Sequence, residues 1–145
     1  MTQGSGPIVV GVDGSPPSLA ALAWAAEEAI LKKLELHLVV GWRMPNMLGL
    51  PLPLPSDFDP LEPAREVVDE AHQVLAAGSY PDLVVKTHIE EGPAARCLIR
   101  TAQALGASLL VVGARGHGEV TGLLMGSVSE NVATHAKCPV VVVRH

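Results

Sequence analysis

The chain has 145 residues, of which 48% are hydrophobic, 17% charged and 3% aromatic, and it carries a formal net charge of -5. That length suits one domain over residues 1–145, and the shortage of aromatics leaves aliphatic and alanine side chains to build its core. No run of Lys or Arg offers the footprint a nucleic-acid backbone needs, no apolar stretch nears the roughly 20 residues that span a bilayer, and "MTQGSGP" lacks a leader pattern. Nucleic acid and membrane are therefore excluded as partners, and a cytoplasmic location is expected.

The first predicted element is the β-branched run "PIVVGV", Pro7 to Val12, which ends in the turn residues "DGSP". Ser15 stands as an N-cap ahead of Pro16 and Pro17, whose missing N–H groups cost nothing in a first helical turn. Leu19, Leu22, Ala23, Ala26 and Ile30 then recur at helical spacing. Trp24 lies off that stripe and is expected to pack at an edge or interface. Leu34 to Trp42 is the second strand; His37 within it is read as a satisfied strand residue, with no His or Cys at ligand spacing.

Arg43 to Pro60 holds five prolines and is predicted as a long loop, a variable crossover rather than a flap. Helical spacing resumes from Leu61 to Ala77, with Gly78 placed to end it in the left-handed conformation. "DLVVKTHIEEG" is the third strand, and Glu90 and Glu91 are read as its solvated end. Pro93 opens a helix over Ala94 to Leu105 that Gly106 closes, and "ASLLVVGA" is a fully apolar fourth strand. Ser127 to Ala136 is the last helix and "PVVVVR" the last strand. Cys97 and Cys138 stand far apart and read as core thiols. Strand and helix alternate throughout, which right-handed crossovers turn into an open parallel sheet with helices on both faces, an α/β fold.

In such sheets ligands settle beyond the carboxyl ends of the strands, where strand order reverses. Two strand ends carry unusual residues. Asp13 directly follows the first strand, although Asp13, Gly14 and Ser15 also suffice for a plain turn and cap. The fourth strand runs into Gly113-x-x-Gly116, nine further residues, then Gly126-Ser127, a longer and more glycine-rich path than reaching the next helix requires. "SVSE", Ser127 to Glu130, has the pattern of a capping box, which places Ser127 at a helix N-terminus able to favour phosphate. Arg115 and His117 are candidates to neutralise phosphate charge. The lysine of a P-loop is missing, "GHGEVTG" has one residue too many for a dinucleotide fingerprint, and no catalytic triad is apparent.

"VVGVDGS", the spaced glycines just described and "GSVSENVATHAKCPVVVVR" together resemble the universal stress protein family, over essentially the whole chain. The resemblance implies a Rossmann-like five-stranded parallel sheet ordered 3-2-1-4-5, of the adenine nucleotide alpha hydrolase-like kind. It implies ATP, with Mg²⁺, as the ligand. Val12 and Asp13 would meet the adenosine, and the backbone at Val40 or Gly41 would read the adenine edge, with Trp42 compensating for the small Gly41. Gly113 and Gly116 would lie on the ribose and phosphate side, and Gly126, Ser127, Val128 and Ser129 would hold the phosphates.

A two-fold homodimer through the last strand, Pro139 to Arg144, is also implied, and an exposed hydrophobic edge strand favours it independently. The resulting expectation is a stress-response protein that signals by nucleotide occupancy, with no catalytic residue. A slow ATPase or nucleotidyl-transfer enzyme, a nucleotide-free interaction module and a binder of AMP or a cyclic nucleotide remain open beside it.

Overall fold

The computed structural model describes residues 5–114 and 126–144. Five strands form one parallel sheet: β1 (Ile8–Gly11), β2 (Leu36–Trp42), β5 (Val85–Glu91), β6 (Leu109–Gly113) and β7 (Val140–Val143). A small antiparallel hairpin, β3 (Asn46–Met47) and β4 (Leu50–Pro51), stands apart from it. The sheet order is β5-β2-β1-β6-β7. Counted without the hairpin strands, this is third, second, first, fourth, fifth.

Alternation along the strands decides which helix lies on which face. Ile8, Val10, Leu36, Leu38, Val40 and Val111 turn to one side and pack under α1 (Pro16–Lys32) and α2 (Glu62–Ala77). Val9, Val39, Leu110 and Val112 turn to the other, under α3 (Ala94–Leu105) and α4 (Ser127–His135). Burying both faces is why the strands read as unbroken apolar runs. Trp24 is half-buried against the α1/α2 core.

Local signals set several boundaries. Ser15 caps α1 by accepting from the Ser18 N–H at 3.4 Å, with prolines in the first turn. Gly106 closes α3 at φ 62°, the left-handed conformation glycine adopts freely. Gly78 does not end α2 that way: its φ is -83° and ψ 173°, an extended exit toward the Tyr80 ring. Besides Gly106, Lys33 takes the left-handed exit after α1, at φ 57°.

The segment between β2 and α2 is not wholly irregular. Leu48 at φ 53° and Gly49 at φ 82° make the tight two-residue turn of a hairpin. Pro51 is tolerated in so short a ladder because no central-strand donor is asked of it.

The parallel register of β2 and β5 brings together polar groups far apart in sequence. His37 Nδ1 lies 2.8 Å from His88 Nε2, and His37 Nε2 lies 3.1 Å from Glu35 Oε1. The two rings stack with centroids 5.1 Å apart. So His37 is satisfied, as expected, but by a second histidine that spacing alone does not reveal. Among the described residues no group of three ligating side chains is suited to a metal ion.

Glu90 is likewise no solvated strand end. It accepts a hydrogen bond from Thr101 and an ion pair from Arg100 at 3.3 Å, tying β5 to α3. Cys97 is buried and Cys138 partly so, and burial raises both thiol pKa values.

The His88 imidazole is held below its ordinary value of 6.5, first by burial and then by the neighbouring His37. The unfolded chain therefore takes up this proton more readily than the folded one, so stability is full above 6.5 and declines as pH falls through the folded-state value. Urea unfolding should show a lower midpoint when the pH drops from about 7.5 to about 5.5. His88→Gln should flatten that dependence; an unchanged slope would contradict it.

Candidate functional site

β1 and β6 are neighbours in the sheet, yet β1 leads into α1 on one face and β6 leads toward α4 on the other. Where the two paths part, a crevice of about 320 Å³ opens. Its floor comes from strand ends at Val12, Asp13, Gly41 and Gly113. One wall is the start of α4 with Gly126, Ser127, Val128 and Ser129. These eight are sequence candidates brought together. Arg115, Gly116 and His117 lie outside the described residues.

Val40 does not line the crevice. Period-two alternation sends its side chain into the α1/α2 core, and Trp42 follows it to that same face, so Trp42 gives no cover to the crevice. The inward positions of β2 are Val39 and Gly41. Opposite them stand Ala94 and Leu98 of α3, which the sequence reading missed, as it missed Gly11, Ser18 and Val112. Their signal was present only as the apolar stripe of α3, which cannot say which strand ends it will face.

The first-strand corner is held by a compact network. Asp13 Oδ1 accepts from the Ser15 N–H at 2.9 Å and from the Ser15 hydroxyl at 2.5 Å. The Asp13 N–H donates to Ser18 Oγ at 3.2 Å, and that hydroxyl donates to the Ser15 carbonyl at 3.0 Å. Gly14 turns through φ 85° to allow it. The turn and the cap are thus both real, and Asp13 also borders the crevice. It is the one carboxylate among the described lining residues.

The α4 corner differs from the predicted capping box. Gly126, at φ -69° and ψ 162°, is the N-cap, and Ser127 is already the first helical residue. The reason is a 2.6 Å bond from the Gly126 N–H to the Ala114 carbonyl, which pins both ends of the intervening segment together and fixes where the helix begins. Glu130 then falls one position too late to close a capping box. The Ser129 side chain is buried, its hydroxyl within 3.0 Å of the Ala114 carbonyl and 2.9 Å of the Gly126 carbonyl. Its hydroxyl secures the corner. The first-turn N–H groups of an α-helix are not spent on its own ladder, and in α4 they include those of Val128 and Ser129.

Two glycines of the crevice are closely packed against main chain. A Cβ on Gly113 would lie 2.6 Å from the Pro17 carbonyl carbon, and one on Gly41 would lie 3.0 Å from the Gly92 carbonyl oxygen. The space beside Gly41 is thus filled by main chain from the β5–α3 connection.

The fold recurs in known proteins. The model of the universal stress protein family matches residues 5–144. The chain belongs to the universal stress protein family. Universal stress protein Rv2623 of Mycobacterium tuberculosis (strain H37Rv) is 36% identical over 138 residues, covering 94% of this chain and 46% of the relative. A universal stress protein of Mycolicibacterium smegmatis is 34% identical over 145 residues, covering 95% and 45%. The chain spans about half the length of these curated relatives.

Among solved structures, a universal stress protein in complex with cAMP superposes with a TM-score of 0.72 at 27% identity, covering 97% of each chain. The universal stress protein UspA from Lactobacillus plantarum, at 24% identity and a TM-score of 0.74 over 99% of this chain and 100% of its own, shares the fold.

The glycines of this universal stress protein separate by what a new methyl would strike. Gly113→Ala must displace the α1 backbone and is expected to cost about 1–3 kcal/mol in urea unfolding. Gly11→Ala meets the Leu98 side chain alone, its two methyls 2.6 and 3.0 Å and its Cγ 3.2 Å from the new Cβ, and a side chain yields more readily than backbone. It should cost clearly less; equal losses would refute the packing argument.

Proposed function

We propose that this crevice binds an adenine nucleotide, with the base between β2 and α3 and the phosphates at the start of α4. The observation that carries the reading is one cavity with two chemically different ends. Val39, Ala94 and Leu98 make an apolar slot of the kind a flat base fills, while the first turn of α4 at Val128 and Ser129 presents main-chain N–H groups and the positive end of a helix dipole. Asp13, fixed by Ser15, stands between them as an acceptor for ribose hydroxyls.

The relative crystallised with cAMP supports the class of ligand. ATP, with Mg²⁺, is the form we favour, because the segment joining Gly113 to Gly126 carries Arg115, Gly116 and His117 as further phosphate partners. The described lining residues offer hydroxyls and one carboxylate, groups suited to holding a nucleotide. Occupancy rather than turnover is the proposed output, in a stress response carried out in the cytoplasm.

The proposal includes a two-fold dimer through β7. That strand is the sheet's edge, and its half-buried Val140–Val143 run leaves one row of main-chain groups without a partner strand in the sheet.

Ser127→Glu tests the phosphate end directly. A carboxylate in the first turn suits the helix dipole, so folding should be unharmed, while its charge competes with phosphate for the same N–H groups. Calorimetry should show ATP affinity reduced at least about tenfold, an effect near 1.4 kcal/mol, with adenosine affinity unchanged. Equal loss for both ligands, or no loss for ATP, would overturn the placement.

A further inference from the structure

Outside the crevice, α3 and α4 frame an open groove of about 600 Å³ on the surface of the molecule. Ala94 and Leu98 turn toward the crevice, whereas Ala95 and Ile99, one residue along, form the groove's apolar floor. Arg96 and Arg100 edge it from α3, and Asn131 and His135 from α4. No carboxylate is among its described lining residues. Arg100 is tethered to Glu90 from the sheet side at 3.3 Å, while Arg96 makes no ion pair among the described residues.

This setting contrasts with the rest of an acidic chain. α1 and α2 carry six carboxylates against two cations, whereas α3 and α4 carry two arginines against one carboxylate. We propose that the groove seats an acidic amphipathic peptide segment of a partner protein, its apolar side on Ile99 and its carboxylates on Arg96 and Arg100.

The arginines stand one helical turn apart, close to 6 Å along the axis. Carboxylates at i and i+4 of a helix, or on alternate residues of a strand, match that interval. Docking an amphipathic helix in a groove is a recurrent recognition mode, with rim charges steering the encounter. Nucleic acid fits less well, since two arginines make a small phosphate footprint and no Phe, Tyr or Trp is among the described lining residues to stack a base. A second copy of this chain also fits less well. Its acidic stripe on α2 (Glu62, Glu66, Glu70) has its apolar side turned into its own core, leaving nothing to cover Ile99.

The probe is a synthetic helical peptide with one leucine face flanked by glutamates at i and i+4, with a twin carrying lysines instead. Fluorescence anisotropy with the full chain should show binding of the acidic peptide only, weakening as salt rises. Arg96→Glu should reduce that binding at least about fivefold and Arg96→Gln by less, with the far-ultraviolet spectrum unchanged. Equal binding of both peptides, no effect of Arg96→Glu, or equal competition by an oligonucleotide of matched charge would each overturn the proposal. Sedimentation that reveals self-association abolished by Arg96→Glu would overturn it too, in favour of a second copy.

Discussion

Two parallel strands lying side by side, whose onward connections leave for opposite faces of the sheet, cannot close the gap between their ends. That constraint, set by β1 beside β6, underlies the functional reading of this protein. The pairing of Ile8 with Leu109 and Val10 with Val111 fixes how far each strand runs. Asp13 and Gly113 therefore arrive at the same crevice although 100 residues separate them. The α1 cap and the α4 cap then set the two corners, each through short main-chain and hydroxyl bonds. Burial of apolar strand faces under both helical layers keeps the corners in place.

Glycine has several uses around this crevice. Gly14 bends the chain through a positive φ, whereas Gly113 and Gly41 keep neighbouring backbone from colliding. Gly126 needs neither a positive φ nor a turn; it donates to Ala114 and starts a helix. Of the spaced glycines, Gly113 thus records packing between helix and strand. At the α4 corner the crevice also offers main-chain N–H groups, which suit the proposed recognition of an anion.

Much of this architecture was legible in the residues. The α3 boundaries follow from Pro93 and Gly106, the α1 start from Ser15 and two prolines, and the two-faced sheet from unbroken β-branched runs. Each is a local signal acting on its own backbone. What escaped reading was set by contacts distant in sequence. His37 meets His88 through strand register, Glu90 meets Thr101 through helix packing, and Leu98 seats over Gly11 through the layer it belongs to. The shifted α4 cap belongs to the same class, since Ala114, twelve residues before Gly126, decides it. Gly78 shows the complementary limit: a glycine permits a left-handed exit without compelling one.

The apolar and polar ends of the crevice are the account's central claim, and amide chemical shifts read both at once. In a uniformly labelled sample titrated with ATP and, separately, with adenosine, the Ser127, Val128 and Ser129 amides should move with ATP and scarcely with adenosine. Val39, Gly41 and Ala94 should move with either ligand. Shifts gathered instead along Arg96, Asn131 and His135, or α4 amides that respond identically to both ligands, would contradict the claim.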